Sequence, residues 1–549
     1  MMRILLTFCS FLALLLTACD PAPDGTSEDS ASATAPVTKP APAAAPDDRF
    51  RPAYHFTPPG GWMNDPNGMV YHEGEWHLFY QHYPDGNKWG PMHWGHAVST
   101  DLVNWEHLPI ALYPEGEGYI YSGSAVIDKN NTAGFGANAM IAIYTIHDMK
   151  AQKAGREDYE SQGIAYSTDR GRTWTKYAGN PVLPNKGDKD FRDPKVLWDE
   201  KTGTWLMTLA VGDHVEFYNS ANLKSWNYLS SWGKGAPQHW GVWECPELIP
   251  MKVEETGDEV HVLLVSTGNG GPNGGSGTFY HTGYWDGKFF QPLREATYSP
   301  TDTVKWLDYG RDNYAAVTFS NAPGRRTILM GWMSNWRYAQ DVPTESWRSA
   351  MTLPRELSLH RNDFGTRLRQ QPVRELKKLR RGAARKLVEG RIEQGITVID
   401  LADLPEPGVF ELDVEFDLHG NSQELSFTLS NDNGDQFYRF GYSRRRGFFY
   451  PYFSDRRRSG LTDFSDHFAP DKLTVADQQT NESVTRFHAF FDRTSAEIFF
   501  QGGDPVITDI FFPEEPYTKL TIESSGGEKD MDGDVGWDVY RAEMWGLVE

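Results

Sequence analysis

Three short stretches hold the residues whose types and spacing could do chemistry. Trp62-Met63-Asn64-Asp65-Pro66-Asn67-Gly68 puts an indole, an amide and a carboxylate into one turn. A proline pushes the residue before it toward extended geometry, and Asn-Gly supplies a turn, so the Asp65 carboxylate belongs at a strand end on stiff backbone. The other two are Arg192-Asp193-Pro194 and Glu244-Cys245-Pro246. One carboxylate in a turn is ordinary loop chemistry. Several in one cavity would repel one another and raise at least one pKa, which is what general acid and base work requires.

Something must bring them together. From about residue 50 to 360 the chain shows short aromatic and β-branched runs separated by Gly, Pro, Asn and Asp, the pattern of an all-β fold. A polar turn closed by tryptophan recurs within it: Ser99-Thr100-Asp101-Leu102-Val103-Asn104-Trp105, Ser167 to Trp174, and Ser220 to Trp226. The period suits one four-stranded sheet per repeat and five repeats, hence a five-bladed β-propeller. Each repeat has a polar group at the head of its first strand: Asp65, Ser122, Asp193, Glu244 and Asp308. First strands line the channel of a propeller, so these groups are expected to converge on one funnel. Carboxylates also cage calcium, but Arg192 and the surrounding Trp residues suit a sugar better, and no metal is expected.

The wider composition bounds the rest. With 549 residues, two or three domains are expected. A net charge of −22 argues against a nucleic-acid or anionic-membrane surface and fits a neutral substrate. Arg444 to Arg446 and Arg456 to Arg458 read as solvent faces of hairpins. Residues 1–19 have an early Arg3, an apolar run and small residues, the pattern of an export signal. The end of that run, Leu16-Thr17-Ala18-Cys19, resembles a bacterial lipoprotein box with Cys19 as the lipidated residue, and the Ala-, Pro- and Ser-rich residues 20–49 read as a disordered tether. The expectation is an exported protein held on the cell envelope by lipid, in the periplasm or at the cell surface. Beyond Cys9 and Cys19 only Cys245 remains, so no internal disulfide is possible. Alternation along a strand would turn Cys245 away from Glu244 and into the blade. His93 and His96, alternating with Trp94, read as structural.

Together the three signatures resemble glycoside hydrolase family 32, the β-fructosidases that include invertases, levanases and inulinases. Leu78-Phe79-Tyr80-Gln81, Tyr121-Ser122-Gly123-Ser124 and Gly331 to Trp336 add to the likeness, and Phe491 to Phe499 is similar to the family's C-terminal β-sandwich. Tyr121 departs from the Phe or Trp usual there. The resemblance implies a retaining mechanism without a cofactor: Asp65 the nucleophile, Glu244 the acid/base, and Asp193 the stabiliser of the oxocarbenium-like transition state. Such a reaction needs two carboxyl groups roughly 5–5.5 Å apart, one ionised and one protonated. Donors in its own turn would keep Asp65 ionised, while two neighbouring carboxylates keep Glu244 protonated. Arg192, Asn64, Gln81, Tyr121, Ser122 and Asp308 are expected to contact the fructosyl unit, with Trp62, Trp89 and Trp336 as walls.

The expected order is a leader (1–19), tether (20–49), propeller (50–360), linker (361–390) and β-sandwich (391–549). The substrate would be a fructan, levan or inulin, or sucrose, and the short connections with Ser334-Asn335-Trp336 favour attack at a chain end. Two readings compete. One is an inverting pentosidase on a related propeller, with carboxylates roughly 6.5–9.5 Å apart; the other is a sugar-binding lipoprotein without turnover. Two acidic turns, Asn431 to Asp435 and Asp530 to Asp534, read as hairpin turns and not calcium loops.

Overall fold

The computed structural model describes residues 48–548 except 117, 236–239, 295–303, 419–421, 447–450, 479–481 and 528–534. The expected leader, Cys19 and most of the tether lie outside the described residues, as does the turn at Asp530.

Five antiparallel sheets follow one another along the chain. Their innermost strands are Gly61–His72, Gly118–Asp128, Phe191–Asp199, Trp243–Lys252 and Tyr314–Thr318. Each packs on the next and the fifth packs on the first, which closes a ring. Closure is reinforced where Gly61 and Trp62 pair in parallel with Trp347 and Arg348, so the late chain adds a strand to the first blade. The three recurring polar turns join the third and outer strands of blades one to three, as their spacing predicts. They share one device: Ser99, Ser167 and Ser220 each bond to the side chain two residues on, and Leu102, Arg170 and Leu223 all take φ near +60°.

Every innermost strand is also interrupted, the first of them twice, with a second slip between Asn67 and Val70. The pairing with the second strand slips between Met63 and Pro66, Ile120 and Gly123, Arg192 and Lys195, Glu244 and Glu247, and Tyr314 and Val317. Asp193, Cys245 and Ala315 lie within the break with φ of +63°, +46° and +51°. Such bulges re-aim side chains at the cost of strain. In the second blade the neighbouring backbone comes so close that a Cβ on Gly123 would lie 2.0 Å from the Ile143 carbonyl oxygen, so only glycine fits.

The stretch expected as a linker, 361–390, is largely strand. Arg355–Asn362 and Gly365–Pro372 form the hairpin that completes the fifth blade, and Arg380–Lys386 already belongs to the sandwich. Its charges misled because they alternate with buried Leu359, Thr366, Leu368 and Gln370.

The C-terminal unit is a sandwich of a seven-stranded and a six-stranded sheet, and its contact with the propeller is polar as well as apolar. Asp492 accepts the amides of Ala53, Tyr54 and His55. Arg355 of the fifth blade is fully buried between Glu497 at 2.5 Å and Asp308 at 3.0 Å. His55 bridges Asp492 and Glu497; burial opposes its charge, but the two carboxylates win and raise its pKa to about 9. Arg456, expected on a solvent face, is instead buried against Asp312 and Tyr338 of the propeller. The sandwich thus locks the entering chain and the fifth blade, a role its alternating strands do not reveal.

Candidate active site

Five of these strand breaks define the site. Asp65 and Ser122 lie within them and Arg192, Glu244 and Tyr314 stand just before them, one residue per blade. Four of these line one pocket of about 200 Å³, together with Asn64, Gln81, Trp89, Tyr121, His147, Gln152, Glu160, Asp190, Asp193 and Trp336. Tyr314, the fifth, lies fully buried behind it and donates to Glu244.

Asp65 is held through both oxygens. Asn64 Nδ2 donates to Oδ1 at 3.0 Å and Ser122 Oγ to Oδ2 at 2.8 Å. The Asn64 amide cannot turn round, because Trp62 Nε1 donates to its Oδ1 at 2.8 Å. Glu244 lines the same pocket, with Oε1 taken by Arg192 Nη2 at 3.0 Å and Oε2 by the Tyr314 phenol. Asp193, the third carboxylate, accepts the Cys245 backbone N–H at 3.0 Å. The Cys245 Sγ lies 3.7 Å from Oδ2 of both Asp65 and Asp193.

Crowding sets the protonation. Burial, then the charge of Glu244, raises Asp65 to about 6, against the pull of its bonds to Asn64, Ser122 and Cys245. The donors expected to hold Asp65 ionised therefore only limit the rise, and it is still mostly ionised at pH 7. Asp193 is raised as well, by burial foremost and by Glu244 and Asp65, with Arg192 opposing. Burial and the surrounding acids keep Cys245 a neutral thiol. Arg192 stays a cation despite burial because Glu160, Glu244, Asp193 and Asp190 surround it.

Most residues expected at the site are there; Asp308 and Trp62 are placed elsewhere, and Cys245, expected in the blade, is brought to the carboxylates. Asp308 is buried at the sandwich, bonded to Arg355, Gly310 N and Thr508, because the fifth blade's first strand begins later and presents Tyr314. Trp62 is fully buried and forms no wall; it stacks behind Trp336 at 5.9 Å. Cys245 points at the carboxylates and not into the blade, because the break after Glu244 cancels strand alternation. His96 stacks on Phe79 and bonds His77 at 3.0 Å, away from the pocket. Missed by the motifs were Tyr314, His147, Gln152, Glu160 and Asp190. Matching Asn313-Tyr314-Ala315 against Trp243-Glu244-Cys245 would have found the first.

The pocket is polar at its floor and aromatic at its rim. Gln81 lines it, is 2% exposed, and has a buried Nε2 without a partner among the described residues. Among the described residues no group of His, Cys, Asp or Glu is arranged to hold a metal ion.

Residues 55–372 match the N-terminal domain of glycosyl hydrolases family 32, and residues 375–539 match the family's C-terminal domain. A levanase of Bacillus subtilis (strain 168) is 46% identical over 488 residues, 88% of this chain and 69% of that protein. The solved exo-inulinase of Aspergillus awamori superposes with a TM-score of 0.82 at 33% identity, covering 92% of this chain and 99% of its own. A β-fructofuranosidase of Schwanniomyces occidentalis, solved with fructosyl-erythritol, superposes with a TM-score of 0.77 at 28% identity over 91% and 98% of the two chains. The fold is the five-bladed propeller with a C-terminal β-sandwich that these relatives share. The chain is a glycosidase and belongs to glycosyl hydrolase family 32.

Proposed function

We propose that the enzyme releases terminal β-D-fructofuranosyl units from fructans, and from sucrose, with retention of configuration. The observation that carries this reading is that Asp65, fixed through both oxygens, and Glu244, fixed through both of its own, line one pocket close enough for the charge of one to act on the other. Asp65 attacks the anomeric carbon as Glu244 protonates the bridging oxygen, and the glycosidic bond breaks. Asp193 stabilises the positive charge that grows on the ring. Glu244, now ionised, takes a proton from water, which attacks the same carbon and frees Asp65. Asn64, Gln81, Ser122 and Arg192 hold the fructosyl hydroxyls, and Trp89, Tyr121 and Trp336 shield the ring.

The pocket volume, about 200 Å³, is below the roughly 300–1,000 Å³ of pockets that enclose a drug-sized ligand. It therefore suits the last ring of a chain, which supports exo attack. The levanase and exo-inulinase relatives support a fructan substrate. Chromatography of products from levan, inulin and sucrose tests the reading: free fructose is expected from the polymers from the first minutes, and a ladder of oligomers would overturn exo attack.

We also propose that the chain is exported and anchored by lipid at Cys19. A related exo-inulinase of Aspergillus awamori is named extracellular, which supports export. Metabolic labelling with a radioactive fatty acid should mark the protein and miss Cys19→Ala; equal labelling of both would sink the idea.

A further inference from the structure

Acid catalysis fixes where the leaving group lies. If Glu244 protonates the bridging oxygen, as the proposed function requires, the sugar beyond that oxygen is on the Glu244 side of the pocket. That side joins Arg192 and Tyr121 to four residues no signature contains, His147, Gln152, Glu160 and Asp190. The Arg192 guanidinium spans it, from Glu244 at 3.0 Å to Asp190 at 2.7 Å and Glu160 at 3.2 Å. His147 joins Glu160 at 3.0 Å to Gln152 Oε1 at 3.1 Å, and its ring stacks on Tyr121 with centroids 4.2 Å apart.

Gln152 reaches the rim on a one-turn helix, Met149–Lys153, in the connection between two strands of the second blade. Asp148 caps that turn by accepting the amides of Lys150 and Ala151. The Gln152 side chain is thereby tied through His147 to the pocket wall although its residue is exposed. The wall is one connected network, continuous with the acid/base and open to the pocket mouth. Asp190 and Gln152, nearest that mouth, offer a carboxylate acceptor and an amide donor, the groups that grip sugar hydroxyls.

We propose that Asp190 and Gln152, backed by Glu160 and His147, form the subsite for the leaving-group sugar and set the preference among leaving groups. They act on the second ring, whereas Asp65, Asp193 and the aromatic rim act on the first. Losing a grip on the second ring penalises only substrates that have one.

The test compares a fructotriose with methyl β-D-fructofuranoside, whose leaving group is too small to reach this wall. For Gln152→Ala and, separately, Asp190→Asn, the ratio of kcat/KM for the trisaccharide to that for the methyl fructoside should fall about tenfold, mainly through KM. Gln152→Glu, which keeps the acceptor for His147, should recover part of the loss if the tie to the wall matters. Ratios within about twofold of wild type in both variants would overturn the subsite. A wild-type enzyme that cleaves neither compound would overturn the fructosidase reading and the subsite with it.

Discussion

Tyr314 donates its phenolic hydrogen to Oε2 of Glu244 while Arg192 occupies Oε1. The two donors come from the fifth and third blades and meet on a carboxylate from the fourth, so one side chain reports the alignment of three sheets. Removing the hydroxyl in Tyr314→Phe leaves Oε2 of Glu244 without its fixed partner. The expected outcome is a fall in kcat of about tenfold or more with a smaller change in KM. Steady-state kinetics on one fructan checks it, and a change confined to KM would contradict it.

The proposed mechanism needs Asp65 ionised to attack, and its pKa is raised to about 6. As pH falls through that value the carboxylate takes up a proton and kcat/KM should drop, giving an acid limb near pH 6. The Cys245 thiol is one of the groups holding that pKa down, so Cys245→Ala should move the limb to higher pH. The pH profile of kcat/KM for both proteins decides this; a limb at the ordinary carboxylate value of 3.8 would refute it.

The same shift has a sign for stability. Because the folded pKa lies above the unfolded value, the native state binds the Asp65 proton more tightly, and stability falls as pH rises from about 3.8 to about 6. Above that window the ionised group costs on the order of 1–2 kcal/mol, after allowing for solvent at the pocket mouth. Asp65→Asn should therefore abolish turnover while melting higher than wild type at pH 7, with the gain shrinking toward pH 4. Thermal unfolding at the two pH values is the check.

Asp308 and Arg355 make the opposite case. Both are buried between propeller and sandwich; removing Arg355 strips Asp308 and Glu497 of their shared cation, whereas removing Asp308 leaves Arg355 paired with Glu497. Arg355→Met should cost about 3–5 kcal/mol. Asp308→Asn should lower the melting temperature without raising KM, as expected of a residue outside the pocket. A higher KM at unchanged stability would return Asp308 to the substrate.

How far the sequence was legible follows from these residues. The repeat of polar turns gave the ring of blades, and the Pro-containing signatures marked Asp65, Asp193 and Glu244. What strand alternation could not supply was the break in each innermost strand. That break turns Cys245 toward the carboxylates, and in the fifth blade it presents Tyr314 where Asp308 had been expected. Arg456 and the hairpin at 355–372 were misjudged for another reason: charge reads as solvent exposure unless the partner, here Asp312 or a facing strand, is known. The leaving-group wall lacks any local signature, since Gln152, Glu160 and Asp190 meet only through the fold.

The central claim is that Asp65 forms a covalent bond to the fructosyl unit while Glu244 manages the proton. In Glu244→Ala, a fructoside with an activated leaving group needs no acid for the first step, but the intermediate lacks its base for hydrolysis. Peptide mass mapping of that reaction, quenched in acid, should find one fructosyl group on the peptide that contains Asp65. A fructosyl group on any other carboxylate, or none while the activated compound is still consumed in a burst, would contradict the account.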